Sequence, residues 1–134
     1  MKKLLPFMIL MLLLNSCSKE EEQVINNDSP AIGKWQLKET LFDPGDGSGT
    51  YQEVSSNKTV EFFKNGKVSS NGSLCQVNPA SGNPTTGTFS TSDSRIRSDE
   101  CNEEYNVTRF KVDGDNLFIY QSCIEGCAEK YIRI

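Results

Sequence analysis

The stretch T-V-E-F-F-K-N-G-K-V-S-S-N-G-S-L, residues 59–74, carries the strongest structural signal in the chain. It contains two extended runs, residues 59–64 and 67–74, on either side of Asn65-Gly66. An Asn-Gly pair favours a two-residue type I′ turn, because both central positions of that turn need positive φ. The two runs are therefore predicted to be antiparallel neighbours joined by a tight hairpin.

The same pattern continues along the chain in both directions. Clusters of Gly, Asn and Ser recur at roughly the spacing of eight to twelve residues that is typical of all-β domains, and no run has a helical period. The other predicted strands are residues 33–42, 85–91, 95–99, 104–112, 117–123 and 127–134, with a short extended return at 50–54. Eight sequential strands predict an all-β fold without a major helix, a small antiparallel meander barrel whose two edges meet.

Apolar alternation along residues 33–42 predicts a strand with one buried face. Trp35, Leu37 and Leu41 fall on one side, and the intervening lysines and glutamine fall on the other. The alternation is less clean at Phe62-Phe63 and at residues 118–120, where large side chains fall on both faces. Either loops cover some outward faces, or part of the barrel exterior is a contact surface.

The first 16 residues have the organisation of a signal peptide. Lys2 and Lys3 precede an apolar run, residues 4–14, which is too short to span a bilayer. The sequence L-N-S-C at 14–17 resembles a bacterial lipobox, which implies that Cys17 is acylated and becomes the mature N-terminus. The alternative is an ordinary secretory signal that is cleaved near Ser16.

Residues 17–30 are predicted to be a flexible tether, and residues 31–134 form the predicted barrel domain. The tether has too few apolar residues to fold, so it would connect the barrel to a membrane through the lipidated Cys17. Its acidic triplet, residues 20–22, resembles the surface-export signals of Bacteroidota lipoproteins. This predicts an outer-membrane lipoprotein that is exposed at the cell surface, with a merely solvated spacer as the alternative.

The composition argues against several classes of function. The chain contains no histidine, so Ser-His-Asp and Cys-His catalytic arrangements are impossible, and no enzyme activity or cofactor is predicted. The formal net charge is −4, and removal of the two leader lysines makes it −6. This balance argues against nucleic acid as a partner.

Four cysteines follow Cys17, and in an exported domain of this size they predict a disulfide framework. Three pairings are possible, and a four-thiolate zinc site is disfavoured because paired C-x-x-C spacing is missing. Residues 123–127, C-I-E-G-C, fit a three-residue hairpin loop with Gly126 in the left-handed position. The predicted disulfides are therefore Cys123–Cys127 and Cys75–Cys101.

Two acidic segments contain carboxylates of the kind that bind metal ions or act in catalysis. Residues 43–49, D-P-G-D-G-S-G, hold two carboxylates and a serine, but they do not match the twelve-residue calcium loop and are predicted to be a plain glycine-rich connection. Residues 99–104 gather four carboxylates beside Cys101. Glycoside hydrolysis needs two carboxylates at a fixed separation across a cleft, so this cluster is predicted to be a solvated charge run, and no metal site is expected.

The sequence G-K-W at residues 33–35 resembles the opening G-x-W motif of the lipocalins. Together with D-P-G-D-G-S-G, S-N-G-S-L-C and C-I-E-G-C-A-E-K-Y, it makes residues 30–134 similar to the small lipocalin-like lipoproteins of Bacteroidota. The resemblance implies that Gly33 and Trp35 close one end of the barrel. It also implies that a basic residue covers the tryptophan, with Arg133 as the candidate and Arg109 as the fallback.

Two functions remain open at this point. The first is a barrel that binds a small apolar or amphipathic molecule in its open end, with residues 43–49 and 75–84 as the rim. The second is a solid-core structural or interaction lipoprotein that contacts another envelope protein. The second function is favoured over the first if the small barrel is filled by its own side chains. The candidates for these interior side chains are Trp35, Leu37, Val60 and Phe62.

Overall fold

The computed structural model describes residues 28–102 and 107–134, and in them the predicted fold class is confirmed. These described residues form nine β-strands: β1 (Gly33–Phe42), β2 (Gln52–Glu53), β3 (Thr59–Phe62), β4 (Lys67–Ser70), β5 (Thr85–Ser90), β6 (Arg95–Ser98), β7 (Thr108–Asp113), β8 (Asn116–Gln121) and β9 (Cys127–Arg133). Within the described residues there is no helix of the length and hydropathy needed to cross a bilayer.

Eight of these strands close into an antiparallel barrel, and β2 is an addition at its edge. Neighbouring strands pair in the order β1-β3-β4-β5-β6-β7-β8-β9, and β9 pairs back onto β1 from Trp35↔Arg133 to Phe42↔Cys127. Because every strand is antiparallel to its neighbours, the loops alternate between two ends. We call these the tryptophan end, which contains Trp35, and the loop end, which contains, of the described residues, 43–58, 71–84, 99–102, 107 and 122–126.

The central hairpin is present, but its turn differs from the prediction. Val60, Glu61 and Phe62 pair with Ser70, Ser69 and Val68. Only Gly66 has positive φ, 78°, and its amide donates to the carbonyl of Phe63, so the connection is a type I turn that ends in a glycine bulge. The type I′ assignment was wrong because Asn65 keeps negative φ and its side chain instead accepts from the amide of Lys67.

A second difference lies in β1, where Leu41 does not face the interior. The pairing with β9 shifts by one residue between Leu37 and Glu39, so Lys38 is an extra residue in β1. A bulge of this kind reverses the facing of every residue beyond it. As a result Thr40 is buried, and Leu41 is placed outside, opposite Ala128.

The interior is packed with side chains from all around the barrel. Trp35, Leu37 and Val60 are fully buried, and Phe62 is 1% exposed, as predicted. The other core residues are Ala31, Val68, Leu74, Phe89, Ile96, Phe110, Leu117, Ile119 and Tyr131. Three of the phenylalanines, at positions 62, 89 and 110, form a cluster with ring centroids 4.9–6.0 Å apart, in which Phe89 makes edge-to-face contacts with the other two.

Gly87 marks the tightest approach between two strands of the barrel. It lies opposite both Val68 and Ser98, and a Cβ at this position would overlap the carbonyl oxygen of Arg97. Glycine within a strand is typical of sharp corners in small barrels, where neighbouring backbones come close together.

We expect Gly87→Ala to lower the free energy of unfolding by about 1–3 kcal/mol, because the added methyl group has to displace backbone rather than a side chain. Chemical denaturation with the disulfides intact would measure the change. Thr88→Ala, on the exposed face of the same strand, is the matched control. Equal stability of Gly87→Ala and the wild type would show that the corner does not need glycine.

Candidate functional site

The tryptophan end is closed by Trp35 and Arg133. The indole is fully buried and donates its Nε1 hydrogen to the carbonyl of Ala31 at 2.8 Å. The Arg133 guanidinium carbon lies 4.0 Å from the centre of the Trp35 rings. Its two terminal nitrogens donate to the carbonyls of Ile32 and Pro30 at 2.9 and 2.7 Å. A cation–π contact of this type contributes about 0.5–2 kcal/mol.

Gly33 makes room for this arrangement. Its φ of 126° lies in a region that favours glycine, and a Cβ at this position would come within 2.8 Å of Arg133 Nη1. All three residues of the predicted closure therefore lie together. Arg109, the fallback residue, lies instead on the exposed face of β7.

The loop end contains a buried ion pair that the sequence analysis did not single out. Lys58 Nζ lies 2.7 Å from Glu129 Oε1, and the two side chains are 0% and 1% exposed. Lys58 Nζ also donates to the carbonyl of Asn78 at 3.1 Å. A buried pair of opposite charges is tolerated only when further hydrogen bonds satisfy both groups, so its surroundings are decisive.

Glu129 accepts four hydrogen bonds, two at each carboxylate oxygen. Oε1 accepts from Lys58 Nζ and from the backbone amide of Asn78, at 2.7 and 3.1 Å. Oε2 accepts from Gln121 Nε2 and Tyr131 Oη, at 2.9 and 2.7 Å. This set joins β8, β9, the segment before β3 and the loop after β4 through a single carboxylate.

Burial shifts the proton equilibria of two members of this cluster. Desolvation lowers the pKa of the Lys58 ammonium, and the neighbouring Glu129 carboxylate opposes that shift. Burial, followed by the negative charge of Glu129, raises the pKa of Tyr131 well above its ordinary value. The phenol therefore remains a hydrogen-bond donor to Glu129, and Lys58 Nζ is held by Glu129 and by the carbonyl of Asn78.

Residues 71–84 lie across the loop end. Leu74 from this segment is 1% exposed and belongs to the core, and its carbonyl accepts from Thr108 Oγ1 at the start of β7. Asn78 reaches Lys58 and Glu129 on the far side of the barrel. Ser56 Oγ donates to the carbonyl of Pro79 at 2.6 Å. Residues 75–84, which were predicted to be a rim, are therefore part of a cover. The predicted strand 67–74 is shorter because it ends at Ser70, and residues 71–74 join the cover.

Both disulfides lie at this end, in the predicted pairing. Cys75–Cys101 joins the cover to the loop after β6, and Cys123–Cys127 closes the β8–β9 connection. The predicted turn at the second bridge was wrong in detail. Cys127 pairs with Gln121, so the loop has five residues, and Gly126 does not have positive φ.

The acidic loop 43–49 is organised around a single side chain. The Asp43 carboxylate accepts from the backbone amides of Gly45, Gly47 and Gly49 at 2.7, 3.1 and 3.0 Å. These amides hold the pKa of Asp43 below its usual value of 3.8. Its oxygens are thus engaged by the chain itself. Within the described residues, no group of three or more Cys, Asp or Glu side chains is placed to hold a metal ion.

The second acidic segment is only partly described. Asp99 accepts from Thr86 Oγ1 at 2.8 Å on the outer face of the barrel, and Glu100 is exposed. Glu103 and Glu104 lie outside the described residues, as do residues 1–27 with Cys17, so the lipidation site and most of the tether remain predictions. The predicted strand 104–112 begins, in the described part, at Thr108.

The exterior carries the other features. A groove of about 520 Å³ lies on the outer face of β4 and β5, beside Phe63 and Thr86. Tyr51 covers Phe118 with ring centroids 5.9 Å apart, whereas Tyr120 stays 39% exposed. A loop residue therefore covers the outward-facing ring of Phe118, whereas the outward-facing ring of Tyr120 remains exposed.

The comparisons with known proteins add no family to this description. No protein-family model, curated protein or solved structure matches the chain.

We expect Glu129→Gln to lower the free energy of unfolding by about 3–5 kcal/mol, because it leaves the buried Lys58 charge without a counter-ion. Urea denaturation would measure this. Glu39→Gln is the matched control, since it breaks the half-buried Lys130–Glu39 bridge at 2.5 Å, and a change of about 1 kcal/mol or less is expected there. Equal losses in the two variants would contradict the importance of the buried pair.

We expect Asp43→Asn to lower the thermal midpoint at neutral pH and to have progressively less effect as the pH falls below 3.8. A carboxylate with a lowered folded-state pKa stabilises the fold above its unfolded pKa, and this contribution is lost as the carboxylate is protonated. Thermal unfolding across pH 2–7 would test this relation, with Asp115→Asn as the control. A midpoint difference that does not vary with pH would contradict it.

Proposed function

We propose that this chain is a non-enzymatic lipoprotein, anchored through Cys17, whose barrel is a solid scaffold that recognises another envelope component with its exterior. The observation that supports this most directly is the filled loop end, where the Lys58–Glu129 pair and the segment 71–84 occupy the place at which a ligand would enter.

The chemistry of the loop end disfavours an apolar occupant. A ligand that entered there would have to displace Leu74 and meet an ammonium, a carboxylate and an amide in a buried setting. One acceptor, Oε1 of Gln121, is buried without a partner among the described residues. Separating the ammonium, the carboxylate and the amide from their partners costs several kcal/mol. An apolar molecule forms no hydrogen bonds that could offset this cost.

The exterior, by contrast, offers side chains that are free to make contacts. The five-residue loop closed by Cys123–Cys127 presents Ile124, which is 95% exposed, and Phe42 beside it is 59% exposed. A cross-linked loop loses little conformational entropy when it binds, which is the general advantage of a preorganised contact. These features support recognition by the outer surface.

Native mass spectrometry of the full chain, extracted from membranes without denaturation, would test the proposal. We expect the wild type to carry acyl mass at its N-terminus and no stoichiometric apolar ligand. Cys17→Ser, the matched control, should leave the membrane fraction and have the same ligand-free barrel. A small apolar molecule bound one-to-one in both proteins would contradict the solid scaffold, and membrane retention of Cys17→Ser would contradict the anchor.

A further inference from the structure

Four cations project from two neighbouring strands on the outside of the barrel. Arg95 and Arg97 lie on β6, where the alternate residues are buried, and Arg109 and Lys111 lie exposed on β7. We call these four residues the basic face. Residues two apart on a strand lie about 7 Å apart, and residues directly opposite each other lie about 5 Å apart. Arg95 and Arg109 therefore lie side by side, whereas Arg97 and Lys111 extend from them in opposite directions, so the four charges form an offset grid.

This grid is unfavourable for the folded protein by itself. Arg95 is paired directly with Arg109, and like charges in that position destabilise a sheet. Arg97 is balanced by Asp93 at 2.8 Å. Within residues 28–102 and 107–134, no carboxylate lies within ion-pair distance of Arg95, Arg109 or Lys111. A local arrangement that costs stability, with no compensating carboxylate among the described residues, is typical of a binding site.

The rest of the molecule restricts what could be bound. The formal net charge of the chain is −4, so the basic face belongs to a protein of negative overall charge. A long polyanion would extend beyond the face and be repelled by the surrounding surface. A ligand whose acidic groups lie close together would contact only the basic face and would not be repelled in this way.

An exposed aromatic residue continues the same row. Tyr120 lies opposite Arg109 on β8 and is 39% exposed. A tyrosine ring offers an apolar face with a polar end, which suits a ligand that combines carbon–hydrogen faces with polar groups. Guanidinium groups are matched to carboxylate and sulfate, which they bind through two parallel hydrogen bonds.

We propose that the basic face binds an acidic saccharide, one that carries carboxylate or sulfate groups. Arg95 and Arg109 hold one acidic group between them, Lys111 attracts a second, and Tyr120 packs against a sugar ring. This inference rests on the proposed recognition by the exterior, and it names the face and the chemical class of the partner.

Calorimetric titration of the full chain in detergent with galacturonate oligosaccharides would test this assignment. We expect binding that weakens as salt is added, and no binding of a neutral xylo-oligosaccharide. Arg95→Ala with Arg109→Ala should weaken binding about tenfold or more while the thermal midpoint holds or rises, because the repulsion is removed. Lys38→Ala with Lys64→Ala, the control of equal charge change, should bind within about twofold of the wild type.

Tyr120→Ala separates a saccharide from a simple anion. It should weaken oligosaccharide binding several-fold and leave the binding of inorganic sulfate unchanged. Three results would overturn the inference: no binding of the oligosaccharide, equal weakening by the two double variants, or tighter binding to phosphatidylglycerol vesicles than to the oligosaccharide.

The two proposals fail separately. If the barrel is free of ligand but the oligosaccharide does not bind, the assignment of the basic face is wrong and the solid scaffold stands. If a ligand occupies the barrel, the scaffold proposal is wrong whatever the calorimetry shows.

Discussion

The fold depends on the ion pair between Lys58 and Glu129 in the interior of the barrel. Removing two charges from water costs several kcal/mol for each ion, and the mutual attraction offsets this only with good geometry and further hydrogen bonds. Here Glu129 has four donors, drawn from four separate segments of the chain. The charge therefore specifies one arrangement of these segments, because any other would leave it buried without a partner.

This constraint explains why both ends of the barrel are closed although the groups that close them differ in chemistry. Trp35 closes one end with an apolar surface that Arg133 covers from outside. At the other end the segment 71–84 is held by Glu129 through Asn78 and by the Cys75–Cys101 bridge. Because the protein's own groups close both ends, the proposed recognition is assigned to the outer face.

Much of the fold could be predicted because local signals agreed with one another. The turn at Asn65-Gly66 and the alternation around Trp35 each indicate antiparallel strands, and the structure has them. Leu41 was misplaced because the extra residue at Lys38 has no signature in the pattern of apolar residues. A bulge is visible only in the register of the partner strand, and the sequence does not state that register.

The candidate sites were harder to predict for the same reason. Glu129 is two residues from the buried Tyr131, so strand alternation places it inside, and this signal was available. Its partner Lys58 lies outside the regular part of β3, where no periodicity applies. The opposition of Arg95 and Arg109 follows from the pairing of β6 with β7, and the sequence between these strands has no tight-turn signal that would fix their register.

The central claim is that the segment 71–84 is a permanent part of the interior and not a gate. Hydrogen exchange of the Asn78 backbone amide in the full chain, measured at neutral pH, tests this most directly, since that amide donates to the buried Glu129 carboxylate. The account predicts exchange as slow as that of the Leu37 amide, which donates to the carbonyl of Lys58 within the barrel wall. Exchange at Asn78 as fast as at Ile124, which is 95% exposed, with Leu37 still protected, would contradict it.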